Sequence, residues 1–345
     1  MSPTASPRER LVQALVRGGA LPAACVEHAL SPAIVEQAYG AALPPVTAAP
    51  GSFEAHLENV RRQVAMNRLT GRCNLEIPYH YTMAPRIREA GTHRGLLTDE
   101  KSLDQLVFVE LTAEHWDQLK RLVDEKGEYA VNACITTGIG HVWQTMDLTA
   151  FAVAAAENRG LLGAILERYT EWTCRVVAEC NRIGVDFFWS FDDFAFKTGP
   201  VYSPELLRDA VMPHAHAVAA EIRLPWIWHS DGNYMVVVED ILSLGMNALN
   251  PLDPGCLDLD YLLTKHPGTA LAGGVDVDIL ARGTGEDVRR AVRECFASMN
   301  RNGRYIAGSS NSIPDYCRPE NVRTFFEEVA RCGRAAGGAG QEPTP

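Results

Sequence analysis

The chain has 345 residues, 46% of them hydrophobic, and a formal net charge of -11 at pH 7. This length suits two domains or one large α/β barrel, and the acidic balance argues against nucleic acid or an anionic membrane as a partner. The nine cysteines form no C-x-x-C pair, which is typical of the reduced cytoplasm and disfavours a disulfide framework or a cysteine-only zinc site. No apolar run reaches the roughly 18 residues of a membrane span, and MSPTASPRER lacks the apolar core of a signal peptide. The sequence therefore predicts a cytoplasmic protein.

The predicted elements begin with an N-terminal extension over residues 1–50, which holds two short helices and a linker rich in proline and alanine. From residue 51 to residue 332, short apolar runs alternate with longer amphipathic ones, which predicts parallel strands connected by helices. The tail over residues 333–345 is predicted to be disordered. The predicted strands are residues 73–78, 129–135, 187–191, 226–229, 248–250, 270–273 and 305–308, and the predicted helices are residues 11–17, 32–39, 161–182, 204–207, 284–299 and 320–332.

Polar residues recur where the predicted strands end. In an eight-stranded α/β barrel the carboxyl ends of all strands face one mouth, where catalytic groups collect. An open doubly wound sheet is the alternative, but no G-x-G-x-x-G follows the first strand. The sequence thus predicts a (β/α)8 TIM barrel over residues 51–332, preceded by a short helical N-terminal extension. The polar strand ends are Tyr79 and His80, Asp192 and Asp193, His229 to Asp231, Asn250, Asp276, and Ser309 to Asn311.

The stretch WIWHSDGNYM, residues 226–235, places a histidine and an aspartate directly after an apolar strand. Residues two apart in an extended segment point to the same side. The imidazole of His229 and the carboxylate of Asp231 are therefore candidate metal ligands, or a proton shuttle with the acid that orients it. The alternative is a plain Asp-Gly turn in which His229 bonds a backbone carbonyl.

Two adjacent carboxylates, Asp192 and Asp193, follow the aromatic strand in FWSFDDF. Like charges in a low-dielectric pocket raise the pKa of at least one of them, which suits acid–base chemistry. Asp193 is predicted to be catalytic, and Asp192 and Trp189 are predicted to bind substrate. In the alternative, one aspartate caps the next turn, the other faces solvent, and Trp189 belongs to the core.

Four further residues are candidates for substrate binding. Ser310 and Asn311 lie in GSSNSIP, where small hydroxyls and an amide resemble a cradle for an anion or a carboxamide, although a plain loop fits equally. His80 follows the first strand of the predicted barrel and is expected at its mouth. Arg86 is suited to an anionic substrate, whereas a solvated helix residue is the default for an arginine in this position.

Several stretches resemble the uroporphyrinogen decarboxylase (URO-D) superfamily, which includes the decarboxylase itself and methyltransferases that move methyl groups between corrinoid proteins and thiols. The resemblance covers about residues 73–332 and implies a (β/α)8 barrel. As a set, its motifs are specific for the superfamily but not for one reaction. They are GVDFFWSFDDFAFKTGPVYSPELLRDAVMPH, HSDGN, LGMNALNPLDPG, LAGGVDV with ILARGTGEDV, and YIAGSSNSIP followed by RPENV.

The branches of the superfamily differ at the turn that holds His229. In the zinc methyltransferases the similar turn reads His-x-Cys, and a second cysteine comes from the loop that resembles SSNSI. Here Asp231 and Asn311 stand at those positions, so His229 and Asp231 imply a harder site for zinc or another divalent metal. In the decarboxylase the turn reads Lys-Asp-Gly, which matches Asp231, but its N-terminal arginine motif is echoed only loosely by MAPRIREAGTHRG.

Three functions stay open, in order of preference. The first is methyl (one-carbon) transfer to or from a small molecule, assisted by the metal and, where cobalamin takes part, by a corrinoid carried on a partner protein. The second is decarboxylation of a small carboxylated substrate by a lyase without a cofactor. The third is a small-molecule binding protein without catalytic activity. A homodimer is one assembly that the sequence allows.

Overall fold

A computed structural model describes residues 5–19, 21–83, 86–87 and 97–338, and these form an α/β fold. Among them are thirteen strands, seven of which (β2, β5, β6 and β9 to β12) belong to one sheet. The strands are β1 His28–Leu30, β2 Asn74–Glu76, β3 Arg86–Ile87, β4 Leu106–Val107, β5 Ala130–Ile135, β6 Phe187–Phe191, β7 Ala195–Phe196, β8 Gly199–Pro200, β9 Trp226–His229, β10 Ala248–Asn250, β11 Ala270–Val275, β12 Tyr305–Ser309 and β13 Ser312–Ile313.

Helices connect these strands, and their starts carry the expected caps. Ser203 accepts the N–H of Leu206 at the start of α8, and Thr284 forms a capping box with Asp287 at the start of α13. No helix in the described part of the chain is long and apolar enough to cross a membrane. The helices are α1 Pro7–Val16, α2 Pro32–Tyr39, α3 Phe53–Thr70, α4 Ala113–Asp124, α5 His141–Met146, α6 Leu148–Glu157, α7 Arg159–Cys180, α8 Pro204–Leu206, α9 Met212–Glu221, α10 Val238–Leu242, α11 Leu259–Lys265, α12 Val277–Arg282, α13 Gly285–Met299 and α14 Pro319–Gly338.

The chain divides into two compact units, each discontinuous in sequence. Unit 1 comprises Met1–Glu76, Asp124–Asn132 and Asn247–Pro345, and unit 2 comprises Ile77–Val123 and Ala133–Met246. In unit 1, β11 pairs in parallel with β10 and β12, and β2 pairs in parallel with the first half of β5. In unit 2, β6 pairs in parallel with β9. The domain boundaries predicted at residues 50 and 332 stay predictions.

Most predicted elements are present with small shifts. The strands predicted at residues 187–191, 226–229 and 248–250 have these bounds, and the other four differ by at most two residues at either end. The predicted disorder after residue 332 is wrong for the first part of the tail, because α14 continues to Gly338. Arginine and alanine, which stand at 334 and 335, have high helix propensity. Residues 339–345 lie outside the described residues.

Part of the N-terminal extension pairs with the sheet inside unit 1. Residues 24–27 lie between β12 and β2: the N–H of Val26 donates to the carbonyl of Ala307 at 2.9 Å, and the N–H of Cys73 donates to the carbonyl of Cys25 at 2.8 Å. The pairing with β12 is parallel. The extension therefore contains the two predicted short helices and also forms backbone hydrogen bonds with β12 and with Cys73, the residue before β2.

This segment ends in Glu27, which is only 1% exposed. Both carboxylate oxygens accept hydrogen bonds from Ser309, one from its N–H and one from its hydroxyl, each at 2.7 Å. The buried guanidinium of Arg72 donates to the Glu27 carbonyl at 3.4 Å. Burial raises the pKa of Glu27 to about 7, although the hydrogen bonds from Ser309 lower it. Glu27 is thus a neutral or singly charged buried acid depending on pH.

The Glu27→Gln variant is expected to gain stability relative to the wild type as the pH rises. The folded-state pKa of about 7 exceeds the ordinary value of 4.5, so between these values the native protein binds more protons than the unfolded chain. Stability present below pH 4.5 is then lost as the pH rises through 7, by roughly 3 kcal/mol in the wild type and not in the variant. Urea unfolding of both proteins at pH 5, 6, 7 and 8 measures this, and a constant difference between them would contradict it.

Candidate metal centre

Strands β6 and β9 bring two acidic turns together in unit 2. Both strands are fully buried along their length, and their parallel register places Phe191 opposite His229. Because parallel strands point the same way, the residues that follow them leave the sheet at the same edge. The N–H of Asp192 donates to the carbonyl of His229 at 2.9 Å. Asp193 and Asp231 therefore come next to each other beyond the two strand ends.

His229, Asp231 and Asp193 form a cluster of candidate metal ligands whose ligand atoms all lie within 4.8 Å of one another. The Nε2 atom of His229 lies 3.5 Å from Oδ1 of Asp193 and 3.7 Å from Oδ1 of Asp231. These separations exceed a normal hydrogen bond. They are close to the roughly 3.4 Å between two ligands of a tetrahedral zinc ion with bonds near 2.1 Å. The spacing of the donor atoms therefore fits a divalent cation.

Burial differs among the three side chains. The imidazole of His229 is 4% exposed, while the side chains of Asp193 and Asp231 are 41% and 37% exposed. The ring of His229 packs against Phe191 with the centroids 4.9 Å apart, and Oδ1 of Asp193 accepts the N–H of Asp231 at 3.1 Å. The cluster thus combines a buried nitrogen with carboxylates on two partly exposed side chains, which resembles the three protein ligands and one open position of catalytic zinc sites.

Asp192 points into the core, unlike its neighbour. Its side chain is fully buried, and Oδ1 accepts the hydroxyl of Thr136 at 3.0 Å and the N–H of Thr137 at 2.9 Å. Burial raises the pKa of Asp192 to about 6, and the hydrogen bonds from the threonines oppose this shift. The completely buried carboxylate thus anchors the turn that presents Asp193, and the substrate-binding role of Asp192 stays a prediction.

Trp189 also belongs to the core. It is 1% exposed and stacks on Phe191 with ring centroids 5.8 Å apart and an interplanar angle of 20°. This burial favours the alternative in which Trp189 is a core residue, and the substrate wall at Trp189 stays a prediction. Phe191 contacts both Trp189 and His229 and is the aromatic residue that borders the cluster.

His80 and Arg86 lie outside the three-residue cluster. His80 is half-buried in a 3-10 turn, Tyr79–Tyr81, with its ring 4.2 Å from that of Tyr81. Arg86 belongs to β3, which pairs with β4, so the default expectation of a helix is wrong; its side chain lies outside the described residues.

Ser310 and Asn311 lie in unit 1, in the turn between β12 and β13. Ser310 is 4% exposed, and its hydroxyl oxygen accepts the N–H of Val277 at 3.2 Å. This hydrogen bond supports the first residue of α12. A role of either residue in substrate binding stays a prediction.

The turn after β5 contains residues that the predicted site does not include. Thr136 and Thr137 hold Asp192, and the indole N–H of Trp143 donates to the carbonyl of Asp193 at 2.8 Å. The available signal is the sequence TTGIGHVW, in which two threonines and two glycines follow a strand that is buried throughout. It marks a strand end of the same kind as HSDG, although it carries no carboxylate.

Comparison with known proteins extends the family resemblance to the whole fold. The uroporphyrinogen decarboxylase (URO-D) family model matches residues 80–332, and no curated protein sequence matches the chain. Among solved structures, a methyltransferase from Methanosarcina mazei has a TM-score of 0.69 at 15% identity, covering 95% of this chain and 99% of that chain. A B12-independent methionine synthase from Shewanella sp. W3-18-1 in complex with selenomethionine has a TM-score of 0.57 at 10% identity, covering 92% and 97%. At these identities the structural likeness concerns the fold, whereas the family match spans most of the sequence: the chain belongs to the uroporphyrinogen decarboxylase (URO-D) family.

Proposed function

We propose that this protein is a methyltransferase that moves a methyl group to or from a small molecule at a divalent metal held by Asp193, His229 and Asp231. The cluster of one imidazole and two carboxylates within 4.8 Å carries the proposal. The fold is shared with a methyltransferase and with a methionine synthase, and methionine bears an S-methyl group. A corrinoid on a partner protein is the proposed carrier where the methyl group passes through cobalamin.

The donor set fits a metal that is used for catalysis. Nε2 of His229 and one oxygen each of Asp193 and Asp231 would hold the ion, and the two carboxylates offset its charge. Imidazole with carboxylates suits zinc and also harder ions such as manganese or ferrous iron. When bound, the ion supplies Lewis acidity, which lowers the pKa of a heteroatom coordinated at the open position. His229 cannot swing away readily because its ring is buried against Phe191.

We also propose that residues 24–27 form the eighth strand of a (β/α)8 barrel. Their backbone bonds to β12 and to Cys73, the residue before β2, support this, since β12 and β2 are the two edge strands of the seven-stranded sheet. A closed (β/α)8 barrel has eight strands and no free edge. Deletion of residues 1–27 is then expected to prevent folding rather than to remove a separate appendage.

Cofactor-free decarboxylation is the second candidate. Asp231 matches the decarboxylase turn, and its side chain is 37% exposed and therefore within reach of a substrate. In this reading Asp231 stabilises a protonated intermediate and no metal is needed.

Elemental analysis of protein purified without chelator tests the proposal. We expect about one zinc, manganese or iron per chain. We also expect the protein to accelerate the demethylation of methylcobalamin by a panel of small thiols, which is monitored by the absorbance of the corrinoid. Treatment with EDTA should remove the metal and this activity together. Metal-free protein that releases carbon dioxide from a panel of small carboxylic acids would contradict the proposal and support the decarboxylase.

A further inference from the structure

We infer that Trp143 and Gly140, which follow β5 and contribute no ligand, are positioning residues that set the metal affinity of the site through the backbone of Asp193. The inference rests on the proposed metal site, since it concerns how one of its three ligands is held. Both residues lie in unit 2 with the ligand cluster. They contact the backbone of Asp193, whereas the N–H of Asp231 bonds the Asp193 carboxylate at 3.1 Å.

Trp143 fixes the peptide group that carries the ligand. Its indole N–H donates to the Asp193 carbonyl at 2.8 Å, a distance typical of a good hydrogen bond. The side chain is half-buried on α5. Since the carbonyl carbon is bonded directly to the Cα of Asp193, this bond limits rotation of the backbone from which the carboxylate projects.

Gly140, which directly precedes α5, lets the chain pack directly against the backbone of Asp192 and Asp193. A Cβ atom at position 140 would lie 2.7 Å from the carbonyl carbon of Asp192, 2.7 Å from the nitrogen of Asp193 and 2.8 Å from its carbonyl oxygen. All three are backbone atoms, which cannot rotate aside as a side chain can. Any other residue at 140 must therefore displace the 192–193 peptide, and the Asp193 carboxylate with it.

A third contact holds the same peptide in place. The buried carboxylate of Asp192 accepts hydrogen bonds from Thr136 and Thr137. Residues 136–143 therefore hold residues 192 and 193 through these bonds, the close backbone contact at Gly140 and the indole bond of Trp143. Nε2 of His229 lies within a few tenths of an ångström of a tetrahedral edge length from Oδ1 of Asp193 and from Oδ1 of Asp231. Residues that hold metal ligands in position typically contribute 10- to 100-fold to metal affinity. The contacts of residues 136–143 with residues 192 and 193 have this role here.

The test is zinc affinity measured by competition with a chromogenic chelator on the full chain. Trp143→Phe keeps an aromatic ring and removes the indole donor, and we expect its zinc Kd to rise about tenfold. Trp116→Phe is the matched control, because Trp116 is also half-buried in unit 2 and packs on His115; its zinc Kd should equal that of the wild type. A purely structural role for Trp143 would lower the melting temperature of the metal-free protein and leave the zinc Kd unchanged.

Gly140→Ala gives a second, independent measurement. Its control is Gly163→Ala, a position in α7 where an added Cβ meets no atom within 4 Å. We expect weaker zinc binding only in Gly140→Ala. Equal zinc Kd values in the wild type, Trp143→Phe and Gly140→Ala would overturn this inference and leave the metal site intact. A wild type that binds no zinc, manganese or iron would overturn the proposed function as well.

Discussion

Replacing His229 with alanine is expected to lower bound metal to about a tenth of the wild-type content or less, and to lower methyl transfer at least about a hundredfold. The proposed site has three protein ligands, and His229 supplies the one nitrogen among them. Its loss leaves two carboxylates, which hold zinc weakly without an imidazole, so affinity and activity should fall together. Elemental analysis after gel filtration and the methylcobalamin assay measure the two quantities.

Two further variants separate ligand loss from misfolding. His229→Phe keeps a ring against Phe191, where the centroids are 4.9 Å apart, and removes only the nitrogen donor; it should lose metal as the alanine variant does. His216→Ala is the control, because His216 is exposed on α9 and should keep wild-type metal content. If the wild type carries metal and His229→Ala retains it fully, His229 is not a ligand.

Much of the fold is readable from local sequence, because the strands are short apolar runs with clear ends. FFWSF and WIWH predict β6 and β9 with their observed bounds. The pairing of residues 24–27 with β12 is different in kind. It joins residues about 280 positions apart, as in the hydrogen bonds between Glu27 and Ser309, and no local pattern encodes such a contact. The local hint of a buried partner is that the acidic Glu27 directly follows the apolar run AACV.

The site is less readable than the fold, and the two adjacent aspartates show why. Sequence predicts that carboxylates follow β6, but not which of them turns inward. In the structure the Asp192 carboxylate bonds Thr136 and Thr137, whereas the Asp193 carboxylate lies beside His229. This choice depends on hydroxyl and amide donors about 55 positions away, supplied by the turn after β5. The neighbouring positions of His229 and Asp231, in contrast, follow from a spacing of two residues along the chain.

Replacing Asp231 with cysteine is expected to tighten zinc binding about tenfold, which corresponds to about 1.4 kcal/mol. A thiolate is a softer and stronger zinc ligand than a carboxylate, whereas manganese prefers oxygen. The Asp231 side chain is 37% exposed and its Oδ1 lies 3.7 Å from Nε2 of His229, so a thiol at this position has room to reach the same ion. The Zn–S bond of about 2.3 Å is longer than the Zn–O bond of about 2.1 Å, and this difference compensates in part for the shorter side chain of cysteine.

Asp231→Ser is the matched control, since it differs from the cysteine variant by oxygen in place of sulfur and should bind zinc more weakly than the wild type. Manganese affinity should fall in both variants, because both remove a carboxylate. Competition titrations should therefore show tighter zinc binding and weaker manganese binding in Asp231→Cys, and weaker binding of both ions in Asp231→Ser. The decarboxylase reading gives a different result: neither substitution alters metal content, while Asp231→Ala by itself abolishes carbon dioxide release. If zinc affinity is the same in the cysteine and serine variants, residue 231 does not contact the metal, and the site must be completed by a different side chain.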